Sequence, residues 1–177
     1  SSAQGNTMKF LLTLSFCALV LYTAFANASD KHDIQPSLTM SANSSVADAL
    51  SLKVFKSPTC GCCQKWIDHI ELSGFKATAH DTDRLNQIKT DSGILPQYQS
   101  CHTAISKNGF VFEGHIPAAI VKQFLDNPPK DAIGLAVPGM PMGSPGMEMG
   151  NMRDDYNVLL LKNDGSSDIY EQIIRPR

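Results

Sequence analysis

Leu52-Lys53-Val54-Phe55-Lys56-Ser57-Pro58-Thr59-Cys60-Gly61-Cys62-Cys63-Gln64-Lys65-Trp66-Ile67 is the stretch that decides the fold. Leu52 and Val54 fall on one face and Phe55 on the other, the alternation of a short strand. Pro58 and Thr59 then turn the chain toward three cysteines packed into four residues. From Gln64 to Ser73, the apolar Trp66, Ile67 and Ile70 recur at helical spacing, Cys63 extends their stripe, and Gly74 supplies the stop. The cysteines therefore sit where a strand feeds the amino end of a helix.

Working outward, Phe75 to His80 reads as a second strand, and Asp81 or Thr82 caps a helix carrying Leu85 and Ile88. Gly93 and Pro96 close that unit. Two strands joined through a helix predict a parallel pair with a crossover connection. His102 to Ser106 and Phe110 to Gly114 flank Lys107-Asn108-Gly109, a strong hairpin signal. Pro117 opens a helix whose apolar residues are Ile120, Val121, Phe124 and Leu125, and Pro128-Pro129 ends it. The order β-α-β-α-β-β-α predicts an α/β, thioredoxin-like fold, with the cysteines at the junction where that fold keeps its active site. From Asp131 to Met152 the composition shifts to Gly, Pro and Met, which reads as a loop because Gly and Pro would break any helix. Five of the seven methionines lie between Met140 and Met152. Tyr156 to Leu161 and Ile169 to Ile173 read as a C-terminal pair of short strands around Asn163-Asp164-Gly165.

The amino end has a different character. Met8-Lys9 precedes an apolar run from Phe10 to Phe25 that ends in Ala26-Asn27-Ala28, a small-x-small cleavage pattern. The run falls short of the roughly 20 apolar residues that span a bilayer, so a removed secretory signal is expected rather than a membrane anchor. Residues 1–28 are thus a leader and signal peptide, 29–45 a polar flexible leader, and 46–177 one domain. Loss of the signal removes Cys17 and Lys9 but no acid, so the formal charge becomes one unit more negative than −2. No basic patch favours nucleic acid, and export to a bacterial periplasm with no stable membrane insertion is expected.

Four cysteines remain after cleavage. Cys60 and Cys63 have C-x-x-C spacing, and a helix amino end favours thiolates there. Such thiolates attack disulfides and also bind metals, so the spacing alone leaves both open. Cys62 tips the balance, since a dithiol enzyme needs only two sulfurs whereas a metal cluster uses every one. Cys101, at the start of a strand beside the first, is expected to join the same site; the bland alternative is a lone buried cysteine or a disulfide partner. His102, if the strand begins there, should point to the opposite face from Cys101, and it suits the core or the surface as easily as a ligand role. Thiolate with thioether selects Cu(I) most sharply, and Met140, Met142, Met147 and Met149 offer soft sulfurs; packing of an apolar groove is the competing role. His115 sits at a strand-to-helix turn and suits a ligand, a cap or the core. His69 reads as a surface residue and His80 as a turn residue.

Four segments resemble a known family: Cys60-Gly61-Cys62-Cys63-Gln64-Lys65-Trp66, Ser100-Cys101-His102-Thr103-Ala104, Glu113-Gly114-His115-Ile116-Pro117-Ala118, and the run from Gly134 to Glu148. The chain resembles the periplasmic copper-resistance proteins called CopG. That resemblance implies a thioredoxin-like fold and a multi-copper site on Cys60, Cys62, Cys63 and Cys101, with His115, His102, Met140, Met142 and Met147 as further candidates. It leaves the reaction open, a copper-dependent oxidoreductase among the possibilities. The expected function is copper binding in resistance, with several Cu(I) ions held by thiolates and other periplasmic copper-handling proteins as partners. The alternatives are a thiol–disulfide oxidoreductase using Cys60 and Cys63, and a non-enzymatic copper chaperone.

Overall fold

The structure, a computed structural model, describes residues 49–174. The expected signal and leader lie outside the described residues. Seven strands form one sheet: β1 (Ser51–Lys56), β2 (Lys76–Asp81), β3 (His102–Ser106), β4 (Val111–Glu113), β5 (Ala132–Ala136), β6 (Tyr156–Lys162) and β7 (Ser167–Ile173). Three helices accompany them among the described residues: α1 (Gly61–Leu72), α2 (Leu85–Asp91) and α3 (Ala118–Asp126). The sheet order is β2-β1-β3-β4-β5-β6-β7. The β1–β2 and β4–β5 pairs are parallel and the others antiparallel.

β1 buries Leu52, Val54 and Lys56 on one side, the alternation expected of it. Its parallel pairing with β2 sets Phe55 beside His80, whose rings stack at 5.2 Å. Trp66, Ile67 and Ile70 of α1 meet Val121 and Phe124 of α3 over Leu52, Val54, Ala104, Phe112 and Leu135. These two helices therefore cover one face of the sheet, and their apolar burial is the main driving force of the fold. A smaller cluster of Ile94, Val111, Ala136 and Leu161 closes the other face. The β3–β4 hairpin turns through Lys107-Asn108-Gly109, with Gly109 at φ 84° as the left-handed residue that a three-residue loop needs.

Two expectations are corrected. Ala132–Ala136, read from sequence as part of the Gly/Pro/Met loop, is a strand between β4 and β6. A Cβ at Gly134 would lie 1.8 Å from the Val111 carbonyl oxygen, so glycine is what lets β5 lie this close to β4. The second helix begins at Leu85 with Arg84, not Asp81 or Thr82, at its cap position. Thr82 acts one step earlier, its hydroxyl accepting the Arg84 N–H at 3.0 Å.

Candidate metal centre

α1 starts at Gly61, three residues before the expected Gln64, because Cys60 takes the N-cap position and its carbonyl accepts the Gln64 N–H at 3.3 Å. Cys62 and Cys63 therefore lie in the first helical turn, with Cys63 buried on the Trp66–Ile70 stripe and Cys62 half-buried. Cys60 and Cys63 are joined as a disulfide across a Cα separation of 5.3 Å, whereas Cys62 and Cys101 are free. The Cys62 sulfur is 3.5 Å from that of Cys60 and 4.0 Å from that of Cys101. The Cys63 sulfur approaches the Cys101 carbonyl at 3.7 Å. The fourth cysteine thus joins the other three, as expected from the adjacency of β3 and β1.

Cys101 also anchors a second group of donors. Its sulfur lies 2.9 Å from His115 Nε2 and 3.4 Å from His102 Nδ1. The sequence placed His102 on the opposite face, and that expectation is corrected. His102 does follow the strand alternation and turns toward α1, where its ring meets Trp66 at 4.5 Å. Cys101 precedes the strand, so the period of two does not bind it and it reaches the same side. One donor atom from each of Cys60, Cys62, Cys63 and Cys101 falls within a mutual 4.8 Å, and so does one from each of Cys101, His102 and His115. Cys101 belongs to both groups.

Hydrogen bonding decides how His115 presents itself. Its Nδ1 donates to the Pro145 carbonyl at 2.7 Å, and a carbonyl only accepts. Nε2 is therefore left with a lone pair aimed at Cys101, the orientation a neighbouring carbonyl gives to a metal-ligating imidazole. Burial holds His115 below the usual imidazole range, against the opposing pull of Pro145 and Glu148. Burial lowers His102 further, with His115 and Lys89 adding to the effect. Both rings are neutral donors at physiological pH. Burial, with the neighbouring Cys62, pushes the Cys101 thiol up to about 12. His102 Nε2 is buried with no hydrogen-bond partner among the described residues, whereas Nδ1 is the nitrogen that faces Cys101.

The Gly/Pro/Met segment frames this centre. Gly139 N–H donates to the Gln99 carbonyl at 3.2 Å, and the Ser100 hydroxyl bonds the Gly139 carbonyl, so the loop starts beside Cys101. Its middle rests on α1. A Cβ at Gly146 would meet the Cys62 carbonyl at 2.7 Å and Trp66 N at 2.9 Å. Met140 and Met149 are exposed, and Met142 and Met147 are half-buried. His69, expected at the surface, is half-buried, and its Nε2 accepts the Ala118 N–H at the start of α3 at 3.0 Å. His80 is exposed at the end of β2 and takes no part.

A buried ion pair behind the site went unnoticed in the sequence. Lys89 on α2 bonds Glu113 of β4, with side-chain exposures of 2 % and 0 %. Thr103 joins both, accepting from Lys89 at 3.0 Å and donating to Glu113 at 2.6 Å. Glu113 also accepts the Ser100 N–H at 2.6 Å, which fixes the backbone that delivers Cys101. The available signal was the spacing of Lys89, four residues beyond Leu85 and so on the apolar stripe of α2.

This is a mixed α/β chain whose clustered cysteines and histidines could hold a metal ion. It is similar to a solved structure described as "Copper resistance protein copG- Form 1", with 40 % identity, a TM-score of 0.66, and 70 % of this chain and 97 % of that one covered. A second, "Copper resistance protein copG- Form 2", matches with 38 % identity and a TM-score of 0.67, covering 71 % of this chain and 98 % of the other. The chain belongs to the CopG family. The family described as "Protein of unknown function, DUF411" matches residues 98–147. No curated protein matches. No helix among the described residues is long and apolar enough to cross a membrane.

Proposed function

We propose that this chain is a periplasmic copper-binding protein of copper resistance that holds several Cu(I) ions on Cys60, Cys62, Cys63 and Cys101, with His115 and His102 completing the donor set. The convergence of those sulfurs and imidazoles into two groups that share Cys101 carries this reading. The donor chemistry fits: thiolate and neutral imidazole suit a soft monovalent ion, and a bridging sulfur serves two ions at once. The order β2-β1-β3-β4, with a parallel β1-α1-β2 unit and an antiparallel β3–β4 pair leading into α3, supports a thioredoxin-like core extended by β5 to β7. Periplasmic residence rests on the signal pattern from Met8 to Ala28.

The chain's own groups have defined tasks in this reading. Copper is the cargo, and it supplies the possibility of one-electron chemistry once bound. The Cys101 thiol gives up its proton to solvent on binding, which leaves its sulfur and the His115 Nε2 lone pair, 2.9 Å apart, both available as donors. Pro145 holds that imidazole in place. The Cys60–Cys63 disulfide must gain two electrons and two protons, from an external dithiol that is itself oxidised to a disulfide, before all four sulfurs become ligands. Metal analysis of the purified chain and its single Cys→Ser variants, after reduction, tests the site. Cys62→Ser and Cys101→Ser should each lower the copper bound; a full load in both variants sinks the four-thiolate reading.

The same disulfide supports a second reading. A C-x-x-C pair oxidised at a helix amino end is the arrangement of a thiol–disulfide oxidoreductase, with Cys60 and Cys63 as the exchanging pair. Reduction of an insulin disulfide by the metal-free protein separates the two. The oxidoreductase reading needs activity that survives Cys62→Ser and vanishes with Cys63→Ser.

A further inference from the structure

The thiol centre leaves the outer arm of the methionine loop without a task. Met149 and Met152 are 54 % and 53 % exposed, so neither fills the core. They oppose each other across an isolated antiparallel bridge. The turn between them is closed by the Met152 N–H donating to the Met149 carbonyl at 3.2 Å. Gly150 takes φ 57° within that turn. Residues opposed in such a bridge carry their side chains on the same side, with Cβ atoms about 5 Å apart. Each methionine adds three rotatable bonds and a polarisable sulfur, so both sulfurs can converge on one point above the turn.

The surroundings select the kind of ion. Arg153 donates to the Gly150 carbonyl at 3.1 Å and the Met152 carbonyl at 2.8 Å, covering the turn's oxygens with a cation. Glu148 accepts the Gly146 N–H at 2.9 Å, and Asp154 accepts the Met142 N–H at 2.8 Å. These two carboxylates are thus engaged in holding the loop. A hard divalent ion wants oxygen ligands and is disfavoured beside a guanidinium. Two neutral thioethers suit a soft monovalent ion of low coordination number.

We propose that Met149 and Met152 form an outer, thioether-only site for a single Cu(I) ion, separate from the cysteine centre and on the loop whose middle rests on Cys62 and His115. The choice of copper rests on the copper reading given above, whereas the soft-ion character rests on the turn itself. Lacking thiolate charge, the site binds more weakly than the cysteines and exchanges its ion faster, as suits an entry point.

The test uses the intact oxidised protein, labelled with ¹³C at the methionine methyls and titrated anaerobically with Cu(I) supplied as its acetonitrile complex. Signals are assigned by single Met→Leu variants. The Met149 and Met152 methyl resonances should move together and saturate, and Met149→Leu/Met152→Leu should bind about one ion fewer per chain. Thiolate-to-copper absorption should be the same in the variant and its parent. Methyls of Met149 and Met152 that stay put at saturating Cu(I), or a double variant that binds the parental number of ions, overturn the proposal. Failure of the cysteine reading looks different: the thiolate absorption is absent while the two methyl shifts remain. Both side chains are exposed, so leucine at these positions leaves the fold intact, and unchanged circular dichroism verifies this.

Discussion

Lys89→Met is expected to cost roughly 3 kcal/mol of folding stability, although the residue touches no sulfur. Lys89 and Glu113 are almost completely removed from water, and deleting one partner of a buried pair strands the other charge at about 3–5 kcal/mol. Glu113 would keep two donors, Thr103 Oγ1 and Ser100 N, both at 2.6 Å, which places the loss at the lower end of that range. Against a total of about 5–15 kcal/mol for a domain, this is a large fraction, and the melting temperature should fall by about 10 °C. Urea denaturation followed by the fluorescence of Trp66, the single tryptophan, measures it. The double variant Lys89→Met/Glu113→Gln removes both charges and should recover most of the loss, because the amide oxygen can accept from Ser100 N while the amide NH2 donates to the Thr103 hydroxyl, which no longer accepts from Lys89. A single variant that loses under about 1 kcal/mol, or a double variant worse than the single, would refute the coupling between these groups.

Gly146→Ala should lift the loop from α1, since its Cβ would meet the Cys62 carbonyl and Trp66 N at φ +87°; a loss of about 1–3 kcal/mol is expected, and ¹⁵N spectra should show His115 no longer held as a single tautomer. Cys101 gives stability a downward alkaline limb. Its folded value is pushed up from 9.0 to about 12, so between those values the unfolded chain has shed a proton that the native chain keeps, and stability falls as pH rises. Cys101→Ser should flatten that limb in denaturation series from pH 8 to pH 11. For the same reason metal uptake expels the Cys101 proton, and apparent affinity should climb as pH is raised toward 9. Trp66→Phe removes the donor to the Ile116 carbonyl, made at 2.8 Å; urea denaturation followed by circular dichroism should show a loss of about 1–3 kcal/mol.

The strand–cysteine–helix opening was legible because only a short Pro-Thr turn separates its two periodicities, and Leu52, Val54, Trp66 and Ile70 are core residues as read. The hairpin at Asn108-Gly109 was legible because one left-handed residue specifies it. β5 was hidden by Gly134: a glycine at the centre of five residues removes the alternation that marks a strand, and its necessity arises from a backbone neighbour twenty-three positions earlier in the chain. Lys89 was hidden by its charge, since its burial depends on Glu113 and Thr103, which reach it only through the fold. His102 was half legible. Its strand face followed from alternation, but Cys101 lies outside the strand and local periodicity says nothing of its direction.

One consequence joins the redox and metal readings. In the two proposed readings Cys60 and Cys63 would be either the exchanging pair of a dithiol or half of a four-sulfur donor set, and one pair of sulfurs cannot serve both uses at once. Cys62 and Cys101 stay outside the disulfide, 4.0 Å apart, and Cys101 also faces His115. In the oxidised chain these three supply two thiols and an imidazole, enough for a soft ion of low coordination number. Reduction would free two further sulfurs, one at the N-cap and one in the first turn of the same helix. If the proposed copper reading holds, the disulfide would limit how many sulfurs the centre offers, and Cys62, dispensable to a dithiol enzyme, would be a sulfur still offered in the oxidised chain.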